Sequence, residues 1–544
     1  MKKVLTLILI VGMVVIWKHA ATAAGSESVL PPIEEDEARL SSVGRVFVRK
    51  FRLEGNTVFS EEDLAPILGP YENREITAEE MQEAKKSVTL FYIDRGYVNS
   101  GAVIPDQQMK DGIITFRIIE GKLSKTEVSG NTWLRTGYIS KRLELTTGPE
   151  AGPLNIITLQ DRLKLIRQDP RVENINATLG PGLEPGEAML DVKVDESRPY
   201  HMSLTFNNHN SPGIGSYRGE VGLRHINLTG WGDALGVSYG LTEGLNEYSA
   251  NYTIPITRWD TTLAFDFDRS ESDVVTDPFD KLDIASKTKT YSVALRHPFY
   301  KTLSREFAME LKFEKRESET YLLNEPFSFA EGTEDGESEI SVLRFSQEWV
   351  DRTLTQVLAL RSSFGFGLDM MGATVNDSGV DGEFITWLGQ FQWLKRISPL
   401  NSQILLRTDL RLSNDPLLPM EKFSIGGATT VRGYRENQLT TDNGVISAFE
   451  WRIPVAQLRV TKGTNDGFLH LVLPFFDFGQ GWNTDRPDPS TDSIYSTGVG
   501  LRWTVTPKIL AEVYWGYALR DVEDPGEYNI QDDGIHFQIT AELF

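Results

Sequence analysis

From Tyr200 to Phe544 apolar and polar residues alternate with a period of two, and the helical spacing found earlier in the chain disappears. Leu263, Phe265 and Phe267 interleave with Ala264, Asp266 and Asp268. Phe307, Met309, Leu311 and Phe313 interleave with Ala308, Glu310 and Lys312, and Val513, Trp515 and Tyr517 with Glu512, Tyr514 and Gly516. Successive side chains of a strand point to opposite faces, so each run predicts a strand with one apolar and one polar side. Alternation alone does not say which side turns inward. The charge density of the polar side, with aromatic residues at strand ends, fits a water-filled lumen behind a lipid-facing wall.

Sixteen strands are expected, starting near 200, 217, 234, 246, 259, 287, 304, 339, 356, 384, 402, 443, 468, 494, 508 and 534. After the second hairpin their connections alternate in length. Thr257-Arg258 and Thr506-Pro507 are short, whereas 316–338 and 413–442 are long. Short inner turns and long outer loops are the known asymmetry of transmembrane β-barrels. The segment 456–467 breaks this rule as a 12-residue inner turn. An even count near sixteen predicts an aqueous channel through an antiparallel transmembrane β-barrel over 200–544.

Ahead of the barrel region, helical spacing alternates with short strands, and the pattern occurs twice. Leu53-Glu54-Gly55-Asn56-Thr57 returns as Val128-Ser129-Gly130-Asn131-Thr132, with the Gly-Asn-Thr triplets 75 residues apart. Asp94-Arg95-Gly96-Tyr97 is echoed by Asp169-Pro170-Arg171-Val172 at the same offset, and Gly112 by Gly186 at an offset of 74. Anchors at nearly one offset predict two copies of one α+β unit, 45–122 and 123–197, with Gly55, Asn56, Gly130 and Asn131 at equivalent turns. Each copy opens with a strand that stops at Gly-Asn and closes with two strands. Between them lies helical pattern, over 60–68 and 78–92 in the first copy and 138–145 and 157–168 in the second. Thr77 and Glu80 form a capping box at the start of the longest of these helices.

The first 24 residues follow another pattern. Lys2 and Lys3 precede an uncharged, mostly apolar run, and Ala21-Thr22-Ala23 supplies small residues for cleavage. A helix of about fourteen residues reaches about 21 Å, short of the roughly 30 Å hydrocarbon core of a bilayer. Residues 1–24 are therefore read as an export signal rather than an anchor, and 25–44 as a polar linker carrying Pro31-Pro32 and Glu34-Glu35-Asp36-Glu37. Loss of the signal removes three lysines and takes the formal charge from −22 to −25, 52 basic against 77 acidic residues. That balance argues against nucleic acid and anionic inner membrane as partners. No cysteine is present, which excludes a disulfide scaffold and thiol chemistry. The stretch 316–338 holds seven acidic residues against one arginine. Such loops either share divalent cations with lipopolysaccharide or stay solvated without metal.

Two motifs narrow the family. The longest loop carries Gly426-Gly427-Ala428-Thr429-Thr430-Val431-Arg432-Gly433-Tyr434, and Phe475-Phe476-Asp477-Phe478-Gly479 closes a later strand. Lying between strands 11 and 12 and at the end of strand 13, behind two repeats, they resemble the Val-Arg-Gly-Tyr loop and Phe-x-Asp-x-Gly strand of the outer-membrane insertase and transporter superfamily. The repeats resemble that superfamily's polypeptide-transport-associated (POTRA) domains. The resemblance implies that the loop folds into the lumen and that Arg432 pairs with Asp477, with Gly433, Tyr434, Phe475 and Gly479 around them. Guanidinium suits the task, being permanently charged and able to contact a carboxylate through two parallel bonds. Two POTRA domains resemble the two-partner secretion transporters (TpsB, the haemolysin secretion/activation proteins) over residues 46–544. Transporters of that branch often begin with a helix that plugs the pore, whereas only about 20 residues precede the first repeat here. Asn227-Leu228-Thr229-Gly230-Trp231-Gly232-Asp233 resembles a turn found across the superfamily and favours no branch.

The implied function is capture of an unfolded exported partner in the periplasm and its passage through the barrel to the cell surface. A large β-helical adhesin or cytolysin is the implied client, and the outer membrane with its lipopolysaccharide the implied setting. The alternative is an insertase of the barrel-assembly kind, opening between strands 1 and 16; a passive porin fits less well because porins lack such repeats. Neither Gly-x-Ser-x-Gly nor His-Glu-x-x-His occurs, and the seven histidines show no ligand spacing. The sequence therefore points to no enzyme, cofactor, metal or nucleotide.

Overall fold

The computed structural model describes residues 44–377, 379–458, 467–522 and 527–544. The export signal, nearly all of the linker and residues 459–466 of the expected inner turn 456–467 lie outside these residues.

The first repeat opens with strands Val46–Val48 and Lys50–Glu54, followed by helix α1 (Glu61–Leu68). Helix α2 (Ala78–Asp94) and strands Gly101–Val103 and Ile113–Ile119 complete it. Lys50–Glu54 runs parallel to Ile113–Ile119, which pairs antiparallel with Gly101–Val103. Both helices start at capping boxes, Ser60 with Asp63 and Thr77 with Glu80, which satisfy amides that the first turn leaves unpaired. Phe51, Leu53, Leu64, Val88, Tyr92 and Phe116 form the core. A small extra pairing of Val46–Val48 with Arg74–Ile76 has no counterpart in the sequence reading.

The second repeat follows the same order. Strand Lys122–Ser129 leads to α3 (Thr136–Thr147) and α4 (Ile156–Arg167), then to strands Val172–Pro181 and Glu187–Glu196. The last strand lies centrally in a three-stranded sheet. Helix α3 buries Tyr138, Ile139 and Leu143.

Sixteen long antiparallel strands close into a barrel. The first eight are Tyr200–Asn207, Arg218–His225, Ala234–Leu241, Leu245–Pro255, Thr262–Asp273, Ala285–Lys301, Arg305–Leu322 and Glu337–Arg352. The others are Gln356–Gly367, Ile385–Ile397, Ser402–Ser413, Asn443–Leu458, Gly467–Trp482, Ser493–Thr506, Ile509–Ala518 and Ile535–Glu542. Every observed start lies within three residues of the position expected from alternation. The outer wall is apolar, with Val237, Phe265, Leu295, Leu311, Leu501 and Val513 all exposed. Polar residues occupy the alternate positions, among them Arg296, which pairs with Glu306 and Glu348. This is the arrangement of a lipid-facing wall around an aqueous interior.

One reading needs correction. The stretch 316–338 was expected to be a loop, but the seventh strand continues to Leu322 and the eighth begins at Glu337. The run lacks apolar alternation because its positions are charged: Glu317 and Glu319 lie opposite Lys289 and Lys287 on one side and opposite Glu339 and Glu337 on the other, with Lys315 3.1 Å from Glu317 and 3.0 Å from Glu339. Arg316, Glu317 and Glu319 therefore belong to the wall.

Candidate functional site

The connection between the eleventh and twelfth strands is itself a hairpin. Short strands Phe423–Ile425 and Leu439–Thr441 pair as its stem. Gly426 and Gly427 adopt φ of +113° and +98° at the start of its tip, a region that side chains with a Cβ seldom enter. The turn closes through bonds from Gly427 N to the Val431 carbonyl (3.1 Å) and from Gly426 N to Thr430 Oγ1 (2.8 Å). Ile425, Val431, Tyr434, Leu439, Ile446 and Ile494 pack into an apolar cluster that seats the tip against the twelfth and fourteenth strands. Gly479 makes room for that cluster, since a Cβ there would collide with Ile425 and lie 2.9 Å from Val431.

Arg432 stands at the centre. Its Nε and Nη2 donate to Asp477 Oδ2 and Oδ1 at 2.7 and 2.8 Å, and its backbone N–H donates to the same Oδ2 at 3.1 Å. Nη1 reaches Glu450 Oε1 at 2.6 Å. Arg432 is 4% exposed and Asp477 fully buried. The guanidinium carbon lies 3.8 Å from the centre of the Phe475 ring and 4.8 Å from that of Tyr514. One cation thus meets two carboxylates and two aromatic faces, a setting in which planar guanidinium is held in both charge and orientation. The Tyr434 hydroxyl lies 2.9 Å from the carbonyls of both Tyr495 and Arg520, towards which it donates.

Gly433, at φ +96°, touches the fifteenth strand, two along from that of Asp477. A Cβ on it would come within 3.0 Å of the Gly516 carbonyl, and one on Gly516 within 2.7 Å of Gly433 N. A Cβ on Gly534 would collide with the Gly516 carbonyl and lie 3.2 Å from Gly433 Cα. The Gly433 N–H donates to His536 Nε2 at 3.4 Å. Glu450, Tyr514, Gly516, Gly534 and His536 were not picked out from sequence. The glycine inside the strand around Tyr514-Trp515-Gly516-Tyr517 was the available signal, because interior strand glycines mark close backbone approach.

Gly55 and Gly130, at φ +85° and +84°, occupy equivalent turns in the two repeats. Asn56 Nδ2 donates to the Phe59 carbonyl at 2.9 Å, and Asn131 Nδ2 to the Leu134 carbonyl at 2.7 Å. A carboxylate missed by the sequence reading completes each turn. Glu120 accepts from the amides of Thr57 and Val58 at 2.7 and 2.9 Å. Glu196, 76 residues later, accepts from Thr132, Trp133 and Leu134 at 2.8, 2.7 and 2.6 Å. Burial pushes the Glu196 carboxyl up, but these amides outweigh it and hold the group below its usual range. The matching offset was the signal that could have found the pair.

The turn Asn227–Asp233 packs on helix α3. Asp233 accepts from Thr229 N at 2.9 Å and from the Tyr252 hydroxyl at 3.0 Å. Gly232, at φ +78°, lies so close to Tyr138 that a Cβ would overlap the ring. Arg135 N donates to the Gly230 carbonyl at 2.9 Å, and its guanidinium lies 5.1 Å from the Trp231 ring. At the next inner turn, Asp260 accepts from Arg142 Nε at 2.9 Å and from Lys301 Nζ at 2.8 Å.

Comparison with known proteins gives concordant results. The family model for haemolysin secretion/activation protein ShlB/FhaC/HecB matches residues 186–503, and that for the ShlB-type POTRA domain matches 46–121. Among curated proteins, the outer membrane transporter CdiB of Dickeya dadantii is 21% identical over 84% of this chain and 80% of its own. Among solved structures, CdiB from Escherichia coli superposes with a TM-score of 0.70 at 18% identity, covering 94% of each chain. BamA from Haemophilus ducreyi, lacking its POTRA domains 1–3, gives 0.56 at 13% identity over 92% of this chain and all of that one. These structural likenesses show the shared fold, and the family models carry the family assignment.

Proposed function

The chain belongs to the haemolysin secretion/activation family, the group of ShlB, FhaC and HecB, and we propose that its latched lumen hairpin controls the export of one partner protein. It is an outer-membrane transporter of two-partner secretion, with its POTRA region in the periplasm. Arg432 carries the functional reading. A buried arginine that ties a lumen hairpin to two carboxylates of the wall holds the passage in one arrangement until a client displaces it.

In this reading 45–122 and 123–197 are the two POTRA domains, and the client adds a strand to an exposed sheet edge there. Main-chain bonding of that kind is tolerant of sequence and suits an unfolded chain. The client is a large β-helical adhesin or cytolysin, and its folding outside the cell draws it through, without nucleotide and without catalysis by the transporter. The acidic outer loops face lipopolysaccharide. Arg432, Gly433 and Tyr434 act with Phe475, Asp477 and Gly479 as the latch.

One observation speaks to the insertase alternative. The last and first strands share five residue pairs, from Gln538↔Asn207 to Glu542↔Ser203, the shortest pairing between neighbouring long strands in the described wall. Asn208 lengthens the seam with its side chain, accepting from Phe537 N at 2.8 Å and donating to the Ile535 carbonyl at 2.8 Å. With the backbone bond from Asn208 N to the Phe537 carbonyl at 3.3 Å, that amide extends the ladder beyond the five pairs, which favours a closed wall and passage through the lumen.

Deletion of the gene tests the choice. Quantitative proteomics of the cell surface and medium should show loss of one very large exported protein, with other outer-membrane barrel proteins unchanged. A general fall in outer-membrane barrels with normal secretion would favour the insertase.

A further inference from the structure

The hairpin has a second attachment, separate from Arg432. Before its stem the chain passes through Leu417, Leu418 and Met420, which pack with Ile340, Val342, Val380 and Phe384. Next comes Glu421, 2% exposed. Its Oε1 lies 2.5 Å from Arg344 Nη2 and 3.2 Å from Arg316 Nη1, and its Oε2 lies 3.0 Å from Arg411 Nη2. Arg316 also donates to the Met420 carbonyl at 2.6 Å. These arginines come from the seventh, eighth and eleventh strands.

The site around Glu421 carries excess positive charge even with its carboxylate in place. Glu314, itself 2% exposed, pairs with Arg316 and, at 3.5 Å, with Arg344. Lys312 adds a further cation 3.0 Å from Glu314. Three guanidiniums and one ammonium therefore face two carboxylates. Arg411 Nε is buried and lacks a hydrogen-bond partner. The nearby Lys422 lies 3.8 Å from Asp442, a group already engaged by the amides of Leu417 and Thr484 at 3.0 Å each. No described carboxylate stands ready to replace Glu421.

The two attachments use different strands of the wall. The base is held from the seventh, eighth and eleventh strands, and the tip from the twelfth and thirteenth, which carry Glu450 and Asp477. The hairpin is a strap with two separate ionic fastenings.

We propose that Glu421 is a positioning residue that fastens the base of this strap, and that its site can be released while Arg432 still holds the tip. The inference rests on the transporter reading for its use, but not for its test. Removing the carboxylate leaves like charges facing each other in a partly dry site, which favours expulsion of the base. Release of the base then precedes movement of the tip.

The chain has no cysteine, so single reporters can be placed cleanly. Leu418→Cys reports on the base and Val431→Cys on the tip; both native side chains are fully buried. In the full-length protein in liposomes, Glu421→Gln should raise labelling of the base reporter by a water-soluble maleimide about tenfold. The tip reporter should keep its native rate, and heat-modifiable gel mobility should remain that of an inserted barrel. Adding Arg344→Gln and Arg411→Gln to Glu421→Gln removes the repulsion and should restore protection of the base. Native protection of the base in Glu421→Gln overturns the proposal, as does simultaneous release of both reporters. So does failure of the neutralised triple variant to re-protect the base. None of these results bears on whether deletion of the gene abolishes secretion, so the two readings fail separately.

Discussion

At its tip the lumen hairpin places one guanidinium between two carboxylates; at its base it places one carboxylate among three guanidiniums. Both sites are buried, and both tie the same hairpin to the wall. They differ in what remains when the central group is lost. At the tip the remainder is a pair of anions on adjacent strands, both anchored in the sheet. At the base it is a group of cations on long side chains, which can swing towards water. The tip should therefore suffer more from loss of its central charge. The hairpin also costs roughly 1–2 kcal/mol per residue in backbone entropy to order, so neither fastening holds it alone. Packing of Tyr434 and Val431 at one end, and of Leu417 and Leu418 at the other, carries much of that load.

The largest effect is expected from Arg432→Ala. Removing one partner of a fully buried pair costs about 3–5 kcal/mol, and less where water reaches the site. The barrel should insert at its normal level with normal heat-modifiable mobility, while client secretion is lost. Normal export by this variant would sink the role of the tip and leave the base as the principal fastening. Arg432→Lys should fall between the two, because lysine cannot make the paired contact to Asp477. Exchanging the charges as Arg432→Asp with Asp477→Arg should restore only part of the function, since Glu450 would then face the new carboxylate.

A steric test comes next. Gly433→Ala leaves every charge in place but puts a Cβ against Gly516 at a φ of +96°. Strain of that kind costs about 1–3 kcal/mol. Tip release should follow, read as faster labelling of Val431→Cys, while the Leu418→Cys reporter stays protected. Equal exposure of both reporters would show that the hairpin moves as one body.

The unequal legibility of the two ends has a physical cause. The tip could be read because its chemistry is local: Val-Arg-Gly-Tyr packs a cation, a tight turn and an aromatic ring into four residues. The base is assembled from single residues at 316, 344, 411 and 421, each an ordinary polar position within an alternating strand or loop. Only closure of the barrel brings them together. Strand positions were legible because period-two alternation is imposed residue by residue by lipid on one side and water on the other. It failed at 316–322, where charged residues of both signs replace the apolar side of the strand. The repeats were legible through Gly-Asn-Thr, whereas Glu120 and Glu196 sit at strand ends where a solvated acid is ordinary.

Glu450→Gln sharpens the comparison within the tip itself. Glu450 is shared with Arg452 at 2.7 Å, while Asp477 makes two parallel bonds to Arg432 alone. An amide can still accept from Arg432, so the loss should stay near 1–2 kcal/mol and secretion should be reduced rather than abolished. Asp477→Asn should impair secretion more. The reverse ranking would mean that Glu450, and not the motif aspartate, is the main counter-ion.

The smallest effect concerns a partly exposed counterpart of these fastenings, the Asp260 site where helix α3 meets an inner turn. Burial raises the Asp260 carboxyl, but Lys301 and Arg142 outweigh it and hold the group below its ordinary value of 3.8. A carboxylate depressed in this way stabilises the fold above its unfolded-state value, and the contribution is lost as pH falls through the folded value. The Asp260→Asn variant should therefore melt slightly below the native protein at pH 7, and the two should converge below about pH 4. The side chain keeps a quarter of its surface in water, so solvent screening limits the difference to about 1 kcal/mol or less. Amide exchange in 136–147 localises the change: faster exchange in the variant at neutral pH, and matching rates in acid. A difference that persists after the pH has fallen through the folded-state value, where the native carboxyl has lost its charge, would show that the substituted amide fails in shape complementarity rather than in charge. This third site would then share nothing with the electrostatics of the hairpin.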